Sequence, residues 1–101
     1  HTHVPSLFML REDNGRQTLK VRLLTGRRLV LDLEPGNRYL INPGSVGQPR
    51  DRDPRASYAI LDTEQQRIYL YRVTYRASVA RRRILGAGLP PVLGDRLLYG
   101  A

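Results

Sequence analysis

Leu19, Val21 and Leu23 alternate with Lys20 and Arg22, and Leu29, Leu31 and Leu33 alternate with Val30 and Asp32. A period of two places successive side chains on opposite sides of an extended backbone, so both runs predict strands with one drier face. Turn signals separate them. Asn14-Gly15 favours positive φ and predicts a hairpin after the apolar run Ser6 to Leu10, and Thr25-Gly26-Arg27 and Glu34-Pro35-Gly36-Asn37 turn the chain again. The first third therefore reads as an antiparallel β meander, followed by a fourth short strand over Arg38 to Asn42.

From Pro43 to Arg55 the chain is rich in Gly, Pro, Arg and Asp and too polar for a core, which predicts a long ordered loop of the kind that carries function. Ser57 to Asp62 and Arg67 to Tyr75 predict a second hairpin around Thr63-Glu64-Gln65-Gln66. In it Tyr69 and Tyr71 share one strand face and Ile68 and Leu70 the other. Ala77, Ala80, Ile84 and Ala87 then recur with helical spacing, with arginines opposite, so an amphipathic helix is expected over Ala77 to Ala87. Gly88 and Pro90-Pro91 stop it, and Leu93 to Tyr99 make a short terminal helix. There is no internal repeat, low-complexity tract or second domain. One or two helices cannot cover both faces of such a sheet, so apolar surface is expected to remain exposed.

With 41% hydrophobic residues the chain is core-forming, and no apolar run approaches the roughly 18 residues a membrane span needs. No membrane partner is expected, and a cytoplasmic location is the default. Cysteine is absent, which excludes disulfides and thiolate metal sites. The chain opens on His1 without methionine or leader, a start that reads as a cut. The net charge is +8, with 17 basic residues of which only Lys20 is lysine. That invites a nucleic-acid reading, yet the arginines are scattered, and the one dense run, Arg81-Arg82-Arg83, is explained by a solvated helix face.

His1 and His3 are the only histidines. Neutral imidazole is a common ligand of catalytic divalent metals, so a His-x-His turn suits a site holding neighbouring ions. By spacing alone, however, the pair reads as a tag remnant or two exposed terminal histidines, and a catalytic ion usually takes about three protein ligands. The longer string decides between them. His1-Thr2-His3-Val4-Pro5, the β segment, Leu40-Ile41-Asn42-Pro43-Gly44-Ser45-Val46-Gly47-Gln48-Pro49-Arg50 and Asp53-Pro54-Arg55-Ala56-Ser57-Tyr58-Ala59-Ile60-Leu61-Asp62 together resemble the C-terminal part of the calcineurin-like metallophosphoesterases, in the small prokaryotic phosphodiesterase branch.

The resemblance implies a fold class, α/β: the C-terminal half of a four-layer α/β/β/α sandwich, with residues 1–101 as the C-terminal part of a single domain whose N-terminal half is absent. It implies hydrolysis of phosphomonoesters or phosphodiesters by a water activated between two divalent metals, which manganese, iron, zinc, cobalt or nickel would satisfy. His1 and His3 match the last Gly-His-x-His motif, one ligand for each ion; the remaining ligands belong to the absent half, and this chain alone is expected to be inactive. Asn42 and Ser45 match a loop beside the metals, as substrate-side or ligand-supporting groups.

Arg50, with Arg52 and Arg55, has a fork suited to phosphate, but pairing of Arg50 and Arg55 with Asp51, Asp53 or Asp62 is the simpler reading. Arg76 stands where the family often has a helix-capping aspartate. The partners implied are a phosphate-ester substrate, the N-terminal half and, through exposed sheet, a second copy. Two other classes stay open: a small basic β module binding nucleic acid through Tyr69, Tyr71 and the arginines, and a non-catalytic interaction domain.

Overall fold

A computed structural model describes all of residues 1–101. Six strands, β1 (Ser6–Asp13), β2 (Arg16–Leu23), β3 (Arg28–Asp32), β4 (Asn37–Asn42), β5 (Ala56–Asp62) and β6 (Arg67–Val73), are followed by helices α1 (Ala77–Gly86) and α2 (Pro91–Tyr99). Asn14 and Gly15 both take positive φ, 49° and 77°, and close the β1–β2 hairpin as the Asn-Gly signal predicts. At the second hairpin the Asp62 carboxylate accepts from the backbone N–H groups of Glu64 and Gln65, both at 3.0 Å, and holds the turn between β5 and β6.

The strands form two three-stranded sheets, ordered β2-β1-β4 and β3-β6-β5, with every observed pairing antiparallel. This corrects the expected meander. β1 is flanked by β2 and β4, while β3 crosses to the other sheet and pairs β6, setting Leu29 opposite Leu70 and Leu31 opposite Ile68. The alternation of β3 says which of its residues share a face, but its pairing partner is chosen by where those leucines can be buried. Leu24, Leu31, Ile68 and Leu70 make the central cluster, with Leu7 and Ile41 of the first sheet packed against it.

The opposite face of the first sheet stays open. Leu19, Val21, Leu23 and Leu40 are between 56% and 68% exposed, although their alternation marks them as the drier face of their strands. On the second sheet the outward face carries Tyr58, Tyr69 and Tyr71, stacked at centroid separations of 5.3 Å and 6.5 Å. These tyrosines lie against one another as sheet residues.

The two helices pack on each other and on no strand. Gly94 of α2 is buried against Arg81, where a Cβ would come 2.8 Å from the Arg81 Cγ, and the Arg81 Nε donates to Asp95 at 2.7 Å. Arg81 thus sits in the helix contact, a correction to the solvated-face reading, which holds for the exposed Arg82 and Arg83. Arg76 occupies the N-cap of α1 and makes no side-chain cap. No helix is long and apolar enough to cross a membrane.

Candidate metal centre

The segment preceding β1 is held in an unusual conformation. His3 has φ 59°, in the left-handed region that non-glycine residues enter rarely and usually where surrounding contacts impose it. One such contact is visible: the His3 Nδ1 lies 2.8 Å from the backbone carbonyl of Gln48. A carbonyl can only accept, so Nδ1 carries a proton, and in the neutral ring the lone pair is then on Nε2. Imidazoles that bind metals are commonly oriented in this way, by a carbonyl or carboxylate on the other ring nitrogen.

The loop between β4 and β5 is built to present that carbonyl. Ser45 Oγ accepts from the Gln48 N–H at 2.8 Å, and the Ser45 carbonyl accepts from the Ser57 N–H at 2.9 Å, anchoring the loop to β5. Asn42 joins the two segments: its Nδ2 donates to Thr2 Oγ1 at 3.0 Å and its Oδ1 accepts from the Gly44 N–H at 2.9 Å. Gly44, at φ 86°, lets the loop approach Pro5, since a Cβ there would fall 2.7 Å from the Pro5 Cγ. Pro5 is fully buried.

Of the residues singled out in the sequence, His3, Asn42 and Ser45 are therefore brought together, through Thr2, Gly44 and Gln48. His1 is exposed and lies two residues from His3 on the same segment. Asn42 and Ser45 have their side chains committed to the loop and to Thr2. Arg50 is exposed and forms no ion pair, so the expected pairing with a carboxylate is not made; Arg55 does pair, with Asp53 at 2.7 Å.

Asp51 is paired instead by Arg72, which lies outside the loop that carries Arg50, Arg52 and Arg55. The Arg72 side chain is 1% exposed; Nη2 bonds Asp51, and Nη1 lies 3.5 Å from Asp53, within ion-pair range but too far for a good hydrogen bond. Arg72 follows Ile68 and Leu70 at intervals of two, in the inward phase of β6. A charge in an apolar phase is the signal that would have exposed it, because a buried guanidinium requires carboxylate partners. Arg55 holds the Asp53 carboxyl below its usual range, and burial opposes that shift.

The residues present suit part of a metal site. His3 has a fixed tautomer and an available Nε2, and His1 adds a second imidazole, but no group of three or more His, Asp or Glu residues comes together. Two imidazoles alone fall short of a catalytic donor set.

No known family profile matches this sequence. It is 40% identical over 100 residues to uncharacterized protein MJ0912 of Methanocaldococcus jannaschii, an alignment that takes in 99% of this chain and 37% of that protein. The fold is similar to the crystal structure of metallophosphoesterase from Sphaerobacter thermophilus, with a TM-score of 0.82, 44% identity, and coverage of 100% of this chain and 41% of the other. The likeness to a metallophosphoesterase thus runs through the whole chain in sequence and in fold. The chain spans about two fifths of the length of each of these relatives.

Proposed function

We propose that residues 1–101 are the C-terminal part of a calcineurin-like metallophosphoesterase domain, and that the intact protein hydrolyses phosphate esters. The carrying observation is the likeness of all of residues 1–101 to about two fifths of the Sphaerobacter thermophilus metallophosphoesterase, at 44% identity. The His3 ring is compatible with the reading: its Nδ1 is held 2.8 Å from the Gln48 carbonyl, the kind of orienting contact that metal-binding imidazoles commonly make.

In this reading His1 and His3 would each offer one nitrogen to one of two divalent ions, of the manganese, iron, zinc, cobalt or nickel class, and the other donors of the four-layer sandwich would come from outside residues 1–101. Such a pair supplies an acidified water and charge neutralisation at the phosphoryl oxygens. The chain's own part is positioning. The Gln48 carbonyl keeps a proton on His3 Nδ1, Ser45 Oγ anchors Gln48 by accepting from its backbone N–H, and Asn42 pins the His1–His3 segment through Thr2. Arg50, exposed and unpaired at the end of the same loop, is available to a substrate phosphate.

Hydrolysis of bis-(p-nitrophenyl) phosphate by the intact protein, with manganese added, tests this. Metal-dependent turnover that disappears in the His1→Ala/His3→Ala variant is the expected result. A folded, metal-loaded protein without turnover returns the chain to the non-catalytic classes, and the Tyr58, Tyr69 and Tyr71 rings, already stacked on one another, give little support to a base-stacking surface among them.

A further inference from the structure

Arg27, Arg28, Arg55 and Arg72 converge on one hollow of about 690 Å³, completed by Tyr71 and Thr74 among its lining residues. That volume lies within the range of about 300–1,000 Å³ typical of small-ligand sites. The hollow lies at the end of the β3–β6 pairing, where the Arg72 N–H donates to the Arg27 carbonyl at 2.8 Å and fixes the backbone of the Arg27-Arg28 pair. Its lining shares no residue with the His3, Asn42 and Gln48 cluster.

The charge there is unbalanced. Arg55 is neutralised by Asp53, and Arg72 by Asp51 and Asp53, whereas Arg27 and Arg28 have no carboxylate within ion-pair reach. Like charges gathered on a concave wall repel one another and focus a positive potential into the hollow, which an anion relieves. Geometry adds selectivity. Arg28 is laid over the Tyr71 ring, 5.8 Å from its centroid, so its guanidinium is partly ordered before any ligand arrives. Arg55 bonds Asp53 through Nε and Nη2, leaving Nη1 without a carboxylate partner. The Thr74 hydroxyl adds a neutral donor. Tyr71 also stacks with Tyr58, so its ring is engaged by neighbours and makes a poor platform for a flat base.

We propose that this hollow is a binding site for a compact phosphate-class oxyanion, held by the forked donors of Arg27 and Arg28 with help from Arg55 and Thr74. The site takes either a free inorganic anion or the phosphoryl group of a small phosphorylated molecule. It does not depend on the phosphoesterase reading, and it survives if that reading fails.

Calorimetric titration of the intact protein with pyrophosphate, phosphate, a nucleoside monophosphate and a single-stranded oligonucleotide, in the presence of a chelator that removes divalent metals, tests it. Saturable binding of at least one anion is expected, weakened at least about tenfold in Arg27→Gln/Arg28→Gln and unchanged in His1→Ala/His3→Ala. Tighter binding of the nucleotide than of both inorganic anions identifies the phosphorylated molecule as the source; the reverse identifies the free anion. Arg28→Lys, which keeps the charge and loses the fork, should fall between wild type and the double variant, and circular dichroism checks that each variant is folded. The proposal is overturned by unchanged affinity in the folded arginine variants, by loss of binding in the histidine variant, by absence of binding at millimolar anion, or by preference for a single-stranded oligonucleotide over every small anion.

Discussion

At the residue scale, the loop after β4 does its work through a few polar side chains whose partners are far away in sequence. Asn42 and Thr2 are 40 residues apart, and His3 and Gln48 are 45 apart. Under the proposed function, Asn42→Ala should weaken manganese binding by the intact protein by up to about 10-fold, the low end of the effect of removing a ligand's own hydrogen-bond partner, because Asn42 acts on the histidine segment only through Thr2; a metal titration followed by calorimetry reads this directly. Asp53 makes a pH prediction. Its pKa is lowered in the folded state by Arg55, so the stability it contributes is fully present above the unfolded carboxyl value of about 3.9 and is lost as pH falls through the lower folded value. Urea midpoints should therefore fall below about pH 4 in wild type and show a flatter acid limb in Asp53→Asn. Asp51→Ala should be the harsher change at neutral pH, by about 3–5 kcal/mol, because it leaves the buried Arg72 guanidinium without its hydrogen-bonded partner.

At the scale of elements, strand and helix positions follow closely from periodicity and turn chemistry, and the departures have local causes. The β1–β2 hairpin extends further than its apolar run because the Asn14-Gly15 turn lets polar residues on both sides continue the ladder, up to Asp13 opposite Arg16. The second helix begins at Pro91, where proline's fixed φ and missing donor suit the first turn. Which sheet a strand joins was not legible, since β3 carries the same alternation whether it pairs with β2 or with β6. The loop between β4 and β5 behaves as an element of its own, docked by Gly44 against buried Pro5. Gly44→Ala should lower the thermal midpoint of the intact protein. Strain of the left-handed backbone alone accounts for about 1 kcal/mol or more, before the clash with Pro5 is added.

On the scale of the whole molecule, only 13 of 101 residues are buried, and the radius of gyration of 16.8 Å exceeds the roughly 13 Å of a compact domain this size. The extents, 58 × 25 × 19 Å, come from helices placed beyond the end of the sheets and not across them. Leu19, Val21, Leu23 and Leu40 form an apolar sheet face with no cover from this chain. The 101 residues expressed by themselves should therefore bind a hydrophobic dye such as ANS and melt over a broad range, and under the proposed function the intact protein, with this face covered, should do neither. A sharp, dye-silent transition in the isolated chain would show that this face is closed by rearrangement or by a second copy. Period and turn residues were enough to determine the elements and the antiparallel sense of the hairpins, because these depend on neighbours a few positions apart. Only the tertiary structure decided the crossing of β3, the tautomer of His3, the burial of Arg72 and the convergence of four arginines on one hollow. Each of these depends on groups tens of residues apart being brought within a few ångströms, and no local pattern encodes that distance.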